Sequence, residues 1–152
     1  LLSNFDVHVL MTASRRERRA IALEEIFERA IVVSNHLPNL PANQGELTED
    51  LFRRMRPGAT FINTGRGPQV DEAGLVRVLR ERPDLTALLD VQDPEPPQAD
   101  SPLYRLPNVL LSTHISGSKN GEVHRMADYV IEDFLRWQRG EPLLFEVTDE
   151  QL

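Results

Sequence analysis

Three residues with catalytic chemistry fall where apolar runs end: Arg66 after Ala59–Asn63, Asp90 at the end of Leu85–Asp90, and His114 just past Val109–Ser112. Arg66 offers a planar fork of donors that suits a carboxylate or a carbonyl oxygen. Glu95 follows Asp90 by five residues, on a proline-rich stretch. A carboxylate beside His114 would hold the imidazole in place. A protonated imidazole within reach of a carbonyl oxygen can deliver a proton to it and take it back in reverse. Each residue taken alone reads as an ordinary polar loop residue. Their shared position at strand ends favours a joint role, because parallel strands bring their carboxyl ends to one edge of a sheet.

The elements that must position them alternate between strand and helix. Val7–Met11 reads as a buried strand, and five arginines fall between Arg15 and Arg29. That run is either a solvated face or an anion site at a strand's carboxyl end. Leu23, Ile26, Phe27 and Ala30 have helical spacing, which predicts a helix over 22–29. Ile31–Asn35 is the next strand, and the loop His36-Leu37-Pro38-Asn39-Leu40-Pro41 follows, held extended by its prolines. Thr48 is placed to cap a helix that Pro57-Gly58 stops. Asp71 is placed to cap another, running to about Arg82. The stretch 92–107 holds five prolines and is too long for a simple turn. A final helix runs from about Lys119 to Arg139, with Val123, Met126, Ala127, Val130, Ile131, Phe134 and Leu135 on one stripe. Gly140 ends it. The pattern predicts an α/β domain with five strands in a parallel sheet. Gly65 and Gly67 are expected to let the backbone bend beside Arg66 and to let a ligand come close.

Composition limits the function. The chain has 152 residues and a net charge of −7, which argues against a general affinity for nucleic acid or anionic membranes. It has no cysteine, so disulfides, thiolate metal sites and cysteine nucleophiles are excluded. A reducing cytosol suits such a chain, and a cytoplasmic location is expected. No apolar run approaches the length of a membrane span. The opening Leu1-Leu2-Ser3-Asn4 has neither an initiator methionine nor a signal-peptide pattern, and reads as a cut with more chain upstream.

Five pieces, in order and at matching spacing, carry a resemblance. They are Asn63-Thr64-Gly65-Arg66-Gly67 with Val70-Asp71-Glu72, Leu89-Asp90-Val91, Asp93-Pro94-Glu95-Pro96, Leu106-Pro107-Asn108-Val109, and His114-Ile115-Ser116-Gly117. From about Phe5 to Thr148 the chain resembles the carboxyl-terminal part of a D-2-hydroxyacid dehydrogenase, of the glyoxylate/hydroxypyruvate reductase kind. The resemblance implies hydride transfer between NAD(P)H and a small 2-oxo acid. It implies Arg66 as the residue that orients substrate and polarises its carbonyl, His114 as acid/base and Glu95 as its partner. It implies that Asp90 accepts from the nicotinamide carboxamide. Cofactor contacts are also implied for His36, Leu37, Pro38, Thr64, Gly65, Arg66, His114, Ile115, Ser116 and Gly117. Thr12, Ser14 and Arg15 match the end of the strand that meets the adenosine ribose. An arginine there is the usual device for a 2′-phosphate, so NADP is expected over NAD. A metal is not expected, and a homodimer is.

The resemblance also marks departures. Its first strand and G-x-G-x-x-G turn, which bind pyrophosphate through backbone N–H groups, have no counterpart in the four residues before Phe5. The fold expected is therefore an incomplete Rossmann-type parallel sheet with flanking helices over residues 1–140, followed by a tail over 141–152. Thr113 stands where a proline is usual and Gln92 where an aromatic is common. The isolated 152-residue chain is expected to lack reductase activity. The alternative is a non-catalytic, dinucleotide-binding-like or dimerisation module, a corepressor or a remnant, which would keep a similar trio.

Overall fold

In a computed structural model, residues 2–13, 18–117 and 119–148 are described. They belong to two compact units, Leu1–His114 and Ile115–Leu152. The first is built on four strands: β1 (Val32–Asn35), β2 (Thr60–Asn63), β3 (Thr86–Leu89) and β4 (Val109–Leu111). They lie side by side in the order β1-β2-β3-β4, and every pairing is parallel. The chain returns between strands through α1 (Leu23–Arg29), which precedes β1, then α2 (Glu49–Arg53) and α3 (Glu72–Glu81).

The sequence predicts a fifth strand over Val7–Met11; none forms there. A strand exists only when a neighbour completes its hydrogen-bond ladder. β1 pairs with β2 alone among the described residues, and Val7, Val9 and Met11 are exposed. Apolar content gave that segment the look of a strand, but no partner strand lies beside it.

Burial alternates along the strands. In β1, Val33 and Asn35 are buried while Val32 and Ser34 are exposed, and in β2 and β3 buried and half-buried residues alternate. Phe61 of β2 meets Phe52 of α2 edge to face, with ring centroids 4.9 Å apart, and Phe52 meets Phe27 of α1 in the same way at 5.6 Å. All three rings are at most 1% exposed. Each contributes roughly 2–3 kcal/mol by burial, and edge-to-face pairing adds to that. Leu75, Val78 and Leu79 extend this core from α3.

The helix ends follow local chemistry. Asp71 accepts from the Gly74 N–H at 3.0 Å and caps α3. Thr48 occupies the cap position of α2, yet its hydroxyl makes no capping bond. In the second unit, α4 (Gly121–Gln138) is followed by Gly140 at φ +68°. Tyr129 of α4 stacks near Phe145, and Asp133 accepts from the Leu144 and Phe145 N–H groups.

A polar clamp closes the lower end of the sheet. Arg82 donates through Nε and Nη2 to the two oxygens of Asp84, and Asp84 also accepts from the Gly58 N–H at 3.1 Å. These donors, the Arg82 guanidinium first, pull the Asp84 carboxyl down to about 2. A carboxylate with a depressed folded value adds stability above its unfolded value, and that stability is lost as pH falls through the folded one. Asp84→Asn is therefore expected to melt slightly earlier than the wild type at pH 7. The gap should narrow below about pH 4 and close near pH 2, as read by thermal unfolding across that range.

Candidate active site

The level register of the sheet sets the site. Asn35 of β1 is paired with Asn63 of β2, which is paired with Leu89 of β3, and that with Leu111 of β4. The four strands thus end together, and the segments that follow them emerge on one edge. Those segments are His36–Pro38, Thr64–Gly67, Asp90–Glu95 and Ser112–His114, which hold the residues that the sequence singles out.

His114 and Glu95 are brought into direct contact. His114 Nδ1 lies 2.6 Å from Glu95 Oε1, with both side chains partly open to solvent. Nδ1 acts as the donor to a carboxylate, which leaves Nε2 free to face a ligand. The backbone helps: His114 adopts φ +56° and donates its N–H to the Asp90 carbonyl at 3.1 Å. That left-handed conformation is uncommon for a histidine, and such residues concentrate at functional sites. Asp90 is buried at 4% exposure and accepts from the Ser112 hydroxyl. Its own N–H donates to the Asn63 carbonyl, which ties β3 to β2 at their tips.

Arg66 follows β2, two strands from β4, a lateral distance of about 10 Å between the strands. It is exposed, and its Nη1 donates to the Gly65 carbonyl at 2.7 Å. A cleft of about 280 Å³ opens beside it, lined by His36, Leu37, Pro38, Asn39, Thr64, Gly65 and Arg66. Six of these seven were expected to contact a cofactor, and Asn39 was not. The His36 ring sits 2.8 Å from the Ser34 hydroxyl.

The two glycines beside Arg66 also serve packing within the protein. Neither needs a positive φ, and the protein itself occupies the space a side chain would take. A Cβ on Gly67 would lie 1.9 Å from the Gln92 carbonyl oxygen, and one on Gly65 would lie 2.8 Å from Asn35 Nδ2 and 2.9 Å from Gln69 Oε1. Gly67 thereby lets the Arg66 turn press against the loop that carries Glu95. Gln92 is buried there, with its amide donating to the Leu89 carbonyl. Glu72 accepts from the Asp93 N–H in the same loop, and partial burial raises its carboxyl above the ordinary value.

The remaining residues expected at the cofactor are Thr12, Ser14, Arg15 and 115–117. Thr12 donates its hydroxyl proton to the Ile21 carbonyl at 2.7 Å. Ser14 and Arg15 lie outside the described residues. Ile115, Ser116 and Gly117 are exposed and belong to the second unit. Sequence reading also missed Asn35, Asn63, Gln69 and Ser112. The one signal available for them was an amide at the last position of two apolar strands.

The donor set fits part of a dinucleotide. The cleft is at the small end of ligand pockets, enough for a ring and a small acid but not for a whole dinucleotide. The neighbouring Asp90 carboxylate could accept from a carboxamide, and the Thr64–Gly65 backbone and the His36–Pro38 loop suit a flat heterocycle. Among the described residues, no three-member cluster of His, Asp or Glu could hold a metal, and no helix is long and apolar enough to cross a membrane.

Comparison with known proteins gives this arrangement its family. Residues 1–116 match the model of the D-isomer specific 2-hydroxyacid dehydrogenase, NAD binding domain, and the chain belongs to that family. A glyoxylate reductase of Korarchaeum cryptofilum is 36% identical over 121 residues, covering 80% of this chain and 36% of that protein. Among solved structures, a D-isomer specific 2-hydroxyacid dehydrogenase from Xanthobacter autotrophicus, in complex with NADPH and MES, is similar with a TM-score of 0.74 and 32% identity. It is covered over 41% of its length and covers 85% of this chain. A probable 2-hydroxyacid dehydrogenase from Rhizobium etli, in complex with NADP, HEPES and L(+)-tartaric acid, follows at TM-score 0.71 and 32% identity, over 83% of this chain and 41% of that one. The chain thus spans well under half the length of these relatives.

Gly67→Ala should be among the most disruptive single methyl additions in the first unit. Relieving a 1.9 Å approach to backbone requires the Arg66 turn and the 92–93 loop to separate. Overpacking of this kind costs about 3 kcal/mol or more. Chemical denaturation should show that loss, against a much smaller one for Gly117→Ala, where a Cβ meets nothing within 4 Å.

Proposed function

We propose that the protein of which this chain is part reduces small 2-oxo acids to D-2-hydroxy acids with NADPH. The observation that carries the reading is the His114–Glu95 pair, standing 2.6 Å apart on the sheet edge that also bears Asp90 and Arg66. Arg66 would leave its contact with the Gly65 carbonyl and turn its fork to the substrate carboxylate and carbonyl oxygen. The dihydronicotinamide, when bound, supplies the hydride to the carbonyl carbon. His114 delivers the proton to the carbonyl oxygen from Nε2, while Glu95 holds Nδ1 and orients the ring. In the reverse direction His114 takes the hydroxyl proton back.

Asp90 fixes the carboxamide end of the nicotinamide, and its contact with Ser112 keeps one oxygen oriented. The His36–Pro38 loop and Thr64–Gly65 form the walls of that half of the site. The choice of NADP rests on Arg15 and Ser14 at the expected ribose position. It is supported by the two similar dehydrogenases whose structures contain NADPH and NADP. A cytoplasmic homodimer completes the reading; the exposed apolar stripe of α4 supports the association.

In the full-length protein, His114→Asn should lower kcat for glyoxylate or hydroxypyruvate by roughly 10²- to 10⁴-fold while leaving NADPH affinity within a few-fold. Glu95→Gln should cost less, since the ring is still present. Stopped-flow absorbance of NADPH and fluorescence titration read the two quantities. Unchanged turnover in His114→Asn would refute the assignment. Tighter binding of NADH than of NADPH would overturn the choice of cofactor.

A further inference from the structure

Behind the cleft, three primary amides form one closed network. Asn35 is 5% exposed, Asn63 1% and Gln69 0%. Asn35 Nδ2 donates to Asn63 Oδ1 at 3.0 Å and to Gln69 Oε1 at 2.6 Å. Asn35 Oδ1 accepts from the Leu37 N–H at 3.0 Å. Gln69 Nε2 donates to the carbonyls of Leu37 at 2.6 Å and Pro38 at 2.9 Å. Gln69 Oε1 also accepts from the Arg66 N–H at 3.2 Å. Asn63 Oδ1 accepts from the Gly65 N–H at 3.1 Å, and its Nδ2 donates to the Arg66 carbonyl at 3.3 Å.

Two features make this more than ordinary satisfaction of buried groups. The orientation of Gln69 is determined: with its amide reversed, an oxygen would face two carbonyls and an NH₂ would face the Arg66 N–H. Both N–H groups of Gln69 serve the His36–Pro38 wall of the cleft, and its oxygen serves the Arg66 wall. One side chain therefore spans the two walls, and its own backbone is held because its carbonyl accepts from Leu47 N–H at 2.9 Å. Gly65 leaves the space that brings Asn35 and Gln69 together.

We propose that Gln69 and Asn35 are positioning residues that lock the dinucleotide-facing loop His36–Pro38 to the backbone of Arg66, so that the two walls of the cleft hold one relative geometry. Neither side chain reaches the cleft lining. Their effect on substrate passes through Arg66, and this part rests on the function proposed above. The coupling itself is a property of the folded chain and is tested without turnover.

Two near-isosteric variants of the full-length protein cut the lock from opposite sides. Gln69→Glu keeps an acceptor for Asn35 and Arg66 but loses the two donors to the Leu37 and Pro38 carbonyls. Asn35→Asp keeps the acceptor for Leu37 but loses the donors to Asn63 and Gln69. Amide hydrogen exchange should quicken by tenfold or more at Leu37, Gly65 and Arg66 together in both variants, while the amides of β3 keep their wild-type rates. The affinity for NADPH and the KM for glyoxylate should both worsen, by about tenfold, with kcat changed less. Exchange that quickens on only one wall, or in all strands equally, would overturn the coupling. A wild-type protein that neither binds NADPH nor reduces glyoxylate would sink the proposed function, and the exchange pattern would still decide the coupling. If one variant fails to fold, the other carries the test.

Discussion

The level, all-parallel register of the four strands is the constraint on which the rest depends. Because Asn35, Asn63, Leu89 and Leu111 stand side by side, four chain segments far apart in sequence leave the sheet at the same height. A slip of one residue in any strand would turn its buried face outward and remove its strand-end residue from the site. The register is itself held by the alternating burial of Val33, Phe61, Ala87 and Leu89 against the helices. The aromatic contacts of Phe27, Phe52 and Phe61 thus stabilise the fold and also set the height at which Arg66 and Asp90 appear.

Above the strands, order comes from polar contacts, because the segments that leave a sheet can no longer use its ladder. Buried backbone and side-chain amides must still be paired. Polar contacts there include the amides of Asn35, Asn63 and Gln69, the Asp90–Ser112 contact, and the Glu95–His114 pair. The first is buried away from water. The last is partly open to water. Exposure thus rises from the amide network to the imidazole. Gly65 and Gly67 sit at the boundary, where the Arg66 turn touches the amide network on one side and the 92–93 backbone on the other.

Much of this was legible in the sequence, for a physical reason. Strands and the helices between them follow from short apolar runs separated by turn and cap residues, which act locally. So β1 to β4 and α1 to α4 appear near their expected places, and Asp71 caps α3 as its position implies. The pairing of Glu95 with His114 was legible too, through the motifs that both residues share with the family. Charge and composition act on the whole chain and need no fold to interpret them.

Contacts between distant segments could not be read in this way. Val7–Met11 has the composition of a strand, yet a strand is a property of a pair and no partner lies beside it. Gly65 and Gly67 look like hinges in sequence. Only the tertiary structure shows that Asn35 and Gln69 fill the space at one and the Gln92 carbonyl the space at the other. Gln69 lies 34 residues from Asn35 and carries no motif of its own, so nothing local announces that it bridges two walls of a cleft. The sequence by itself determined which residues could do the chemistry and along which strands they lie, because those are local properties. The tertiary structure decided which of them meet and what holds them there, because hydrogen bonds and close approaches between remote segments exist only once the sheet has brought their ends together.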